Sequence, residues 1–232
     1  MISGMDRTLA INGLDLFVRD SARDRAAGET LLLLHGFTGS GNDWQHVFAE
    51  PPSGYRVIAP DLRGHGQSTN PSGLFTFREV AQDILALLDH LAIDRVKAIG
   101  MSAGANTLLH MATQQPARID AMIHVSGTPR FPDQARAMMK AMPVDGVGRY
   151  AHQLADDRDD MNFTASTLSA ITARTLIVHG DRDPLYPVEL AVELYRGIPG
   201  SSLWVVPQGG HGPIFGEQAA PFVEAATAFL KP

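Results

Sequence analysis

Apolar and polar residues follow one another in this chain in short blocks. Near the start, "TLA" and "LDLFVRD" flank Asn12-Gly13. Two strand-like runs around an Asn-Gly pair predict a β-hairpin, because that dipeptide accepts the positive φ angles of a two-residue turn. A polar loop, "SARDRAAGE", comes next. Six runs of a second kind then recur: "TLLLLHG", "YRVIAPDLRG", "RVKAIGMS", "IDAMIHVSG", "RTLIVHGDRD" and "SLWVVPQGG". Each is apolar over most of its length and ends in a polar or glycine-rich corner. That is the pattern of a strand buried on both faces.

Helical patterns lie between most of these runs. In "FTFREVAQDILALLDHLAI", Val80, Ile84, Leu87, Leu88 and Leu91 recur at helical spacing and form one apolar stripe. "AGANTLLHMATQQPAR" and "AAPFVEAATAFL" read the same way. Strands alternating with helices predict an α/β protein, with a mostly parallel central sheet of about eight strands covered by helices on both faces. One domain over residues 1–232 accommodates this pattern. From about Thr128 to Thr172 the alternation stops. "DQARAMMKAM", "VGRYAHQLADD" and "ASTLSAI" predict a small helical insertion there, and "DDRDD" (Asp156 to Asp160) reads as a solvated loop without the spacing of a calcium loop.

Composition narrows the function. The chain has 232 residues, 44% hydrophobic and 19% charged, with a net charge of −6. The basic footprint of a nucleic-acid binder is missing. With no cysteine, disulfides, thiolate nucleophiles and cysteine-held metals are ruled out. The longest apolar runs are too short to span a bilayer. "MISGMDRTLAING" lacks a basic stretch followed by an apolar one, so the expectation is a soluble, cytoplasmic protein with a small-molecule substrate, no membrane partner and no cofactor or metal.

The corners of the strands carry the candidate chemistry. In "AIGMSAGAN", Ser102 stands in the order G-x-S-x-G, after a strand and before a helix. Gly100 and Gly104 permit a sharp turn, and the helix N-terminus favours developing negative charge. His211 lies in "QGGHGP", just past the last strand, where an imidazole can reach over the sheet edge. "HGDRDPLYP" offers two carboxylates, Asp181 and Asp183, either of which can orient a histidine. "LHGFTGSG" is a glycine-rich loop whose N–H groups can serve an oxyanion. Each piece has a plain reading too: a chance turn, one of nine histidines, a helix-capping aspartate.

"HGFTGSGNDW", "VIAPDLRGHGQS", "AIGMSAGA", "LIVHGDRDPLYP" and "GGHGP" together resemble an α/β-hydrolase over nearly the whole chain, in the family's order of nucleophile, acid and histidine. The resemblance implies a serine hydrolase acting through an acyl-enzyme on ester-like small molecules. Ser102 would be the nucleophile and His211 the base. Asp183 would be the acid, since the family pattern G-x-x-D begins at Gly180, with Asp181 the alternative. The backbone N–H groups of Phe37 and Ala103 would hold the oxyanion. Asp61 and His65, in the "DLRGHGQS" signature, would be structural. The insertion would be the family's cap, short here. Ala105 stands where a second glycine often occurs. Phe37, Met101, Ile214 and Phe215 flank this machinery, and Phe131, Met138, Met139 and Met142 belong to the cap; together they imply a tolerant apolar pocket, although packing alone accounts for the cap methionines. Carbon–carbon hydrolases, lactonases, acyltransferases and cofactor-free perhydrolases share such triads. Dehalogenases and epoxide hydrolases of the family use aspartate at the elbow. A binding protein on the same scaffold and a metal hydrolase are the remaining alternatives.

Overall fold

The computed structural model describes residues 5–21, 28–158 and 160–231, so most of the polar loop expected at Ser21–Glu29 and one residue of the acidic run lie outside the described residues. Strands β1 (Arg7–Ile11) and β2 (Leu14–Asp20) form the hairpin. Its turn residues, Asn12 and Gly13, take φ of 49° and 77°, the left-handed values that such a turn demands. The six apolar runs become β3 (Glu29–Leu34), β4 (Tyr55–Pro60), β5 (Val96–Met101), β6 (Ile119–Val125), β7 (Arg174–Gly180) and β8 (Ser202–Val206). They make one eight-stranded sheet in the order β1-β2-β4-β3-β5-β6-β7-β8. Only the pairings of β2 are antiparallel; the rest of the sheet is parallel.

The period of a strand explains why these runs are apolar throughout. In β3, Leu32 and Leu34 join one core cluster while Leu31 and Leu33 join the other, on the opposite face. The first cluster takes in α1 (Phe77–His90), α2 (Ala103–Gln114) and α6 (Val188–Gly197). The second takes in Trp44, from a 3-10 turn at Gly41–His46, and α7 (Ala219–Leu230). The stripe expected on α1 faces inward: Val80, Ile84, Leu87 and Leu88 are buried. No described helix is long and apolar enough to cross a membrane.

Between β6 and β7 the chain carries α3 (Asp133–Lys140), α4 (Gly148–Asp156) and α5 (Ala165–Leu168). A bridge between Arg130 and Asn162 closes the base of this insertion. Arg136 on α3 donates from Nη1 to the carbonyls of Leu154, Ala155 and Asp157 at the end of α4, at 3.2, 2.8 and 3.2 Å. Those carbonyls have no partner within the helix, so one guanidinium satisfies three orphan acceptors and locks α3 to α4. Gln153 ties α4 to the body, accepting from Phe75 N–H and donating to Gly73 O, both at 2.9 Å.

The acidic run is not wholly a solvated loop. Asp160 is buried, and its carboxylate accepts the N–H groups of Phe77 (2.6 Å) and Arg78 (3.1 Å), the first two of α1. Burial raises this carboxyl to about 6, against the pull of those two donors. Its sequence neighbours gave no sign of this, because the partner is a helix N-terminus some eighty positions away.

The close approach of α2 to the sheet depends on Gly104. A Cβ at that position would run into the Leu34 carbonyl of β3. Gly104→Ala is therefore expected to destabilise the protein by about 2–4 kcal/mol, since backbone on both sides must move. Urea denaturation checks this, and a change below about 0.5 kcal/mol would refute the close-packing argument.

Candidate active site

Ser102 joins β5 to α2 with φ 50° and ψ −108°, a conformation strained for a residue with a side chain. Hydrogen bonds fix the strain from both sides. Ser102 N–H donates to Val125 O on β6 (2.8 Å), and Asn106 N–H donates to Ser102 O (2.9 Å). The hydroxyl is thereby lifted clear of the sheet, toward the loop after β8.

His211 Nε2 lies 2.8 Å from Ser102 Oγ, and His211 Nδ1 lies 2.8 Å from Asp183 Oδ2. An ionised carboxylate only accepts, so Nδ1 carries the proton and Nε2 is left to accept from the serine hydroxyl. The other oxygen, Oδ1, accepts from the N–H groups of Leu185 (2.8 Å) and Tyr186 (3.2 Å). Burial works to raise the Asp183 carboxyl. The hydrogen bond and charge of His211, with the two N–H donors, outweigh it and hold the group below the ordinary carboxylate range. Asp183 has a fully buried side chain, whereas Asp181 is exposed. The imidazole is paired with Asp183. The three residues come from the ends of β5, β7 and β8, brought together by the sheet order alone.

The loop after β3 stands beside Ser102. A Cβ built on Gly36 would lie 3.7 Å from Ser102 Cβ, and Gly39 N–H donates to Gly36 O (3.1 Å). Phe37 sits inside that turn, and its N–H has no backbone acceptor among the described residues. Ala103 is the first residue of α2, so its N–H has no acceptor within the helix. Two further residues brace the loop. Buried His35 donates from Nδ1 to Gly36 O (2.7 Å) and accepts Leu62 N–H at Nε2 (2.9 Å). Only a neutral imidazole does both, and burial lowers its pKa to about 4. Asp61 accepts from Arg19 Nη1 (2.7 Å), Gly41 N–H (2.8 Å) and Gln67 N–H (2.9 Å), fixing the far end of the loop.

The expected pocket residues part company. Phe37, Met101 and Phe215 are half-buried near Ser102 and His211, and a Cβ on Gly212 would touch both Phe215 and Met101. Phe131 is buried. Ile214 has no exposed surface and belongs to the second core cluster, so it offers nothing to a bound molecule. Met138 is 48% exposed on α3 and faces solvent. Amphipathic spacing explains that placement: α3 buries Ala135 and Arg136 instead.

What sequence reading missed is an arc of rings beneath the insertion. Successive centroid distances are 5.8 Å for Phe37–Phe75, 5.7 Å for Phe75–Phe77, 6.1 Å for Phe77–Phe131, 6.2 Å for Phe131–Tyr186 and 5.4 Å for Tyr186–His211. The arc runs from the loop beside Ser102 to the imidazole. Tyr150 stacks on Phe75, and His65 packs edgewise against Phe37. The only sequence signal for Tyr186 was its position in "DPLYP", three residues after Asp183.

A family model described as alpha/beta hydrolase fold matches residues 29–159, and one described as TAP-like protein matches residues 152–231. Epoxide hydrolase 1 of Siraitia grosvenorii is 35% identical over 65% of this chain and 45% of its own length. Among solved structures, the enol-lactonase from Burkholderia xenovorans superposes with a TM-score of 0.82 at 22% identity, covering 97% of this chain and 99% of that one. An esterase from Exiguobacterium antarcticum gives 0.81 at 23% identity, covering 98% and 100%. At these identities the two structures speak for the fold.

Proposed function

The chain belongs to the alpha/beta hydrolase fold family, and from that membership we propose that it is a serine hydrolase that cleaves ester bonds of small to medium, largely apolar molecules. The observation that carries the reading is the unbroken line of hydrogen bonds from Ser102 Oγ through His211 to Asp183, 2.8 Å at each step. A serine hydroxyl is a weak nucleophile at neutral pH, and a base on its proton makes it a strong one.

In this reading His211 Nε2 takes the Ser102 proton as Oγ attacks the ester carbonyl. The oxyanion rests on the N–H groups of Phe37 and Ala103. Donors of this kind act on charge that develops only in the transition state, and losing one typically costs about 10²–10³ in rate. His211 then hands its proton to the departing alcohol, leaving an acyl-serine. Water, deprotonated by the same Nε2, releases the acid and restores the hydroxyl. Asp183 keeps the imidazole in the required tautomer and stabilises the imidazolium without taking the proton. Phe37, Met101 and Phe215 would meet the substrate at the mouth, with Phe131 behind them.

A fluorophosphonate probe with mass spectrometry of the labelled peptide tests the nucleophile. Labelling is expected on Ser102 alone. A folded protein that takes no label would instead be a binding protein on this scaffold. A panel of p-nitrophenyl esters, lactones and vinylogous diketones then tests the bond cleaved. Turnover of esters supports the reading, and turnover confined to diketones or lactones replaces ester cleavage with that chemistry.

A further inference from the structure

Tyr186 touches several parts of the frame around His211. Its ring stands edge-on to the imidazole, with centroids 5.4 Å apart and planes at 72°. Its N–H donates to Asp183 Oδ1 (3.2 Å), so the same residue holds the acid. Its carbonyl lies 2.9 Å from Nε2 of His179, a fully buried residue that anchors the turn from below. Its hydroxyl lies beside the Asn106 carboxamide. Asn106 belongs to the first turn of α2, accepts Thr128 N–H at Oδ1 (3.0 Å) and donates its own N–H to Ser102 O. On its outer side the Tyr186 ring stacks on Phe131 at 6.2 Å. Phe131 in turn lies under the guanidinium of Arg136, at 5.6 Å, the group that locks α3 to α4.

An imidazole with a side chain 21% exposed has room to swing about χ1 and χ2. Two hydrogen bonds set its plane only while both partners stay in line. During the reaction the bond to Ser102 is broken and remade, and at that stage the flank of the ring needs a wall. Tyr186 is the aromatic wall against it. Because the same ring bears on Phe131, displacement of the α3–α4 pair reaches His211 by contact.

We propose that Tyr186 is a positioning residue, which keeps the His211 imidazole in line between Ser102 and Asp183 and couples it through Phe131 to the seating of the cap. The inference rests on the serine-hydrolase reading above. A misaligned general base costs rate in the chemical step far more than it costs substrate binding, and errors of about 1 Å are worth up to ~10².

The test compares Tyr186→Leu, Tyr186→Phe and Phe131→Leu with the wild type, on the best ester of the panel and by fluorophosphonate labelling rate. Tyr186→Leu is expected to lower kcat by about 10–100-fold with KM within about threefold. The acid limb of its kcat/KM profile should move to lower pH, because a loosely held imidazolium gains less from Asp183. Tyr186→Phe, which keeps the ring, should recover to within about threefold of wild type. Phe131→Leu should shift kcat and the acid limb the same way by a smaller amount, about 3–10-fold. A ring that only fills the core would lower the melting temperature and leave the profile in place. If Tyr186→Leu does not fold, Phe131→Leu decides: unchanged kcat and profile overturn the inference. So does a Tyr186→Phe variant as slow as Tyr186→Leu, or a folded Tyr186→Leu with wild-type kcat. These outcomes apply to a wild type that labels. A wild type that neither labels nor turns over any ester removes the hydrolase reading, and the inference with it.

Discussion

Replacing Ser102 with alanine should abolish ester turnover, with kcat/KM falling by about 10⁴-fold or more while the fold persists. The size follows from the proposed mechanism, in which Ser102, His211 and Asp183 act as a unit. Once Oγ is gone, His211 and Asp183 have nothing to activate, and only binding and the oxyanion donors remain to speed attack by water. Stability should scarcely change, because alanine inherits the strained backbone at φ 50° and ψ −108° and loses one hydrogen bond to a partly exposed ring. Ser102→Gly separates the two effects. Glycine adopts that conformation without steric cost, so it should be as inactive as the alanine variant yet more stable by about 1–3 kcal/mol. Ester kinetics and urea melts of the two variants side by side measure this. Activity within tenfold of wild type in either variant would sink the assignment of Ser102 as nucleophile, and equal stability would mean that the elbow stores no strain.

A second large effect should appear with pH alone. Burial lowers His35 and His110 to about 4 and His124 to about 3. His110 gives Nε2 to the Asp160 carbonyl (2.6 Å), and His124 has neither ring nitrogen bonded among the described residues. Unfolded, each of these histidines titrates near 6.5. As pH falls below 6.5 the unfolded chain therefore binds protons that the folded chain refuses. The stability that these groups contribute is fully present above that pH and is lost as pH drops toward 4. At pH 5 each has given up about 2 kcal/mol, some 6 kcal/mol together. Asp160 works the other way. Its carboxyl, raised to about 6 by burial, takes up a proton in the folded state first and returns roughly 1 kcal/mol by pH 5. The remainder rivals the whole stability of an ordinary domain. Thermal melts should be level from pH 8 to 7 and fall steeply below 6, with unfolding near pH 5. His124→Met should lessen that slope by about a third. A melting temperature that stays level down to pH 5 would refute the account.

The strands of the parallel core were legible because burial on both faces leaves few polar positions in them, and the corners after them stood out by contrast. Ser102 and His211 were legible for the same reason, as reactive side chains at strand ends. Asp183 was separable from Asp181 only through the family pattern, since both are aspartates in one turn and the difference is which of them the turn faces inward. The helix Val188–Gly197, which begins just after Pro187 and has Leu190, Ala191 and Leu194 on its buried face, was not read from the pattern. His35 and Asp160 left no local trace, and Tyr186 none beyond its place in "DPLYP". Each owes its role to a partner brought near by the fold: Leu62 N–H for His35, the start of α1 for Asp160, the loop after β8 for Tyr186. Periodicity reports which face a residue is on and says nothing of what awaits it there.

The bridge between Arg130 and Asn162 draws the two ends of the α3–α4 segment together into a neck. Everything beyond that neck is an excursion, which leaves the scaffold and returns to it at neighbouring points. Lengthening such an excursion costs the fold only logarithmically, about 0.6 kcal/mol for each doubling. The strand ends that hold Ser102, Asp183 and His211 lie on the other side of the neck and need not move when it grows. A lineage carrying this architecture is free to remodel what it recognises while inheriting its chemistry intact, and an engineer can graft there with the same freedom, so long as an aromatic side chain comes back down to meet Tyr186.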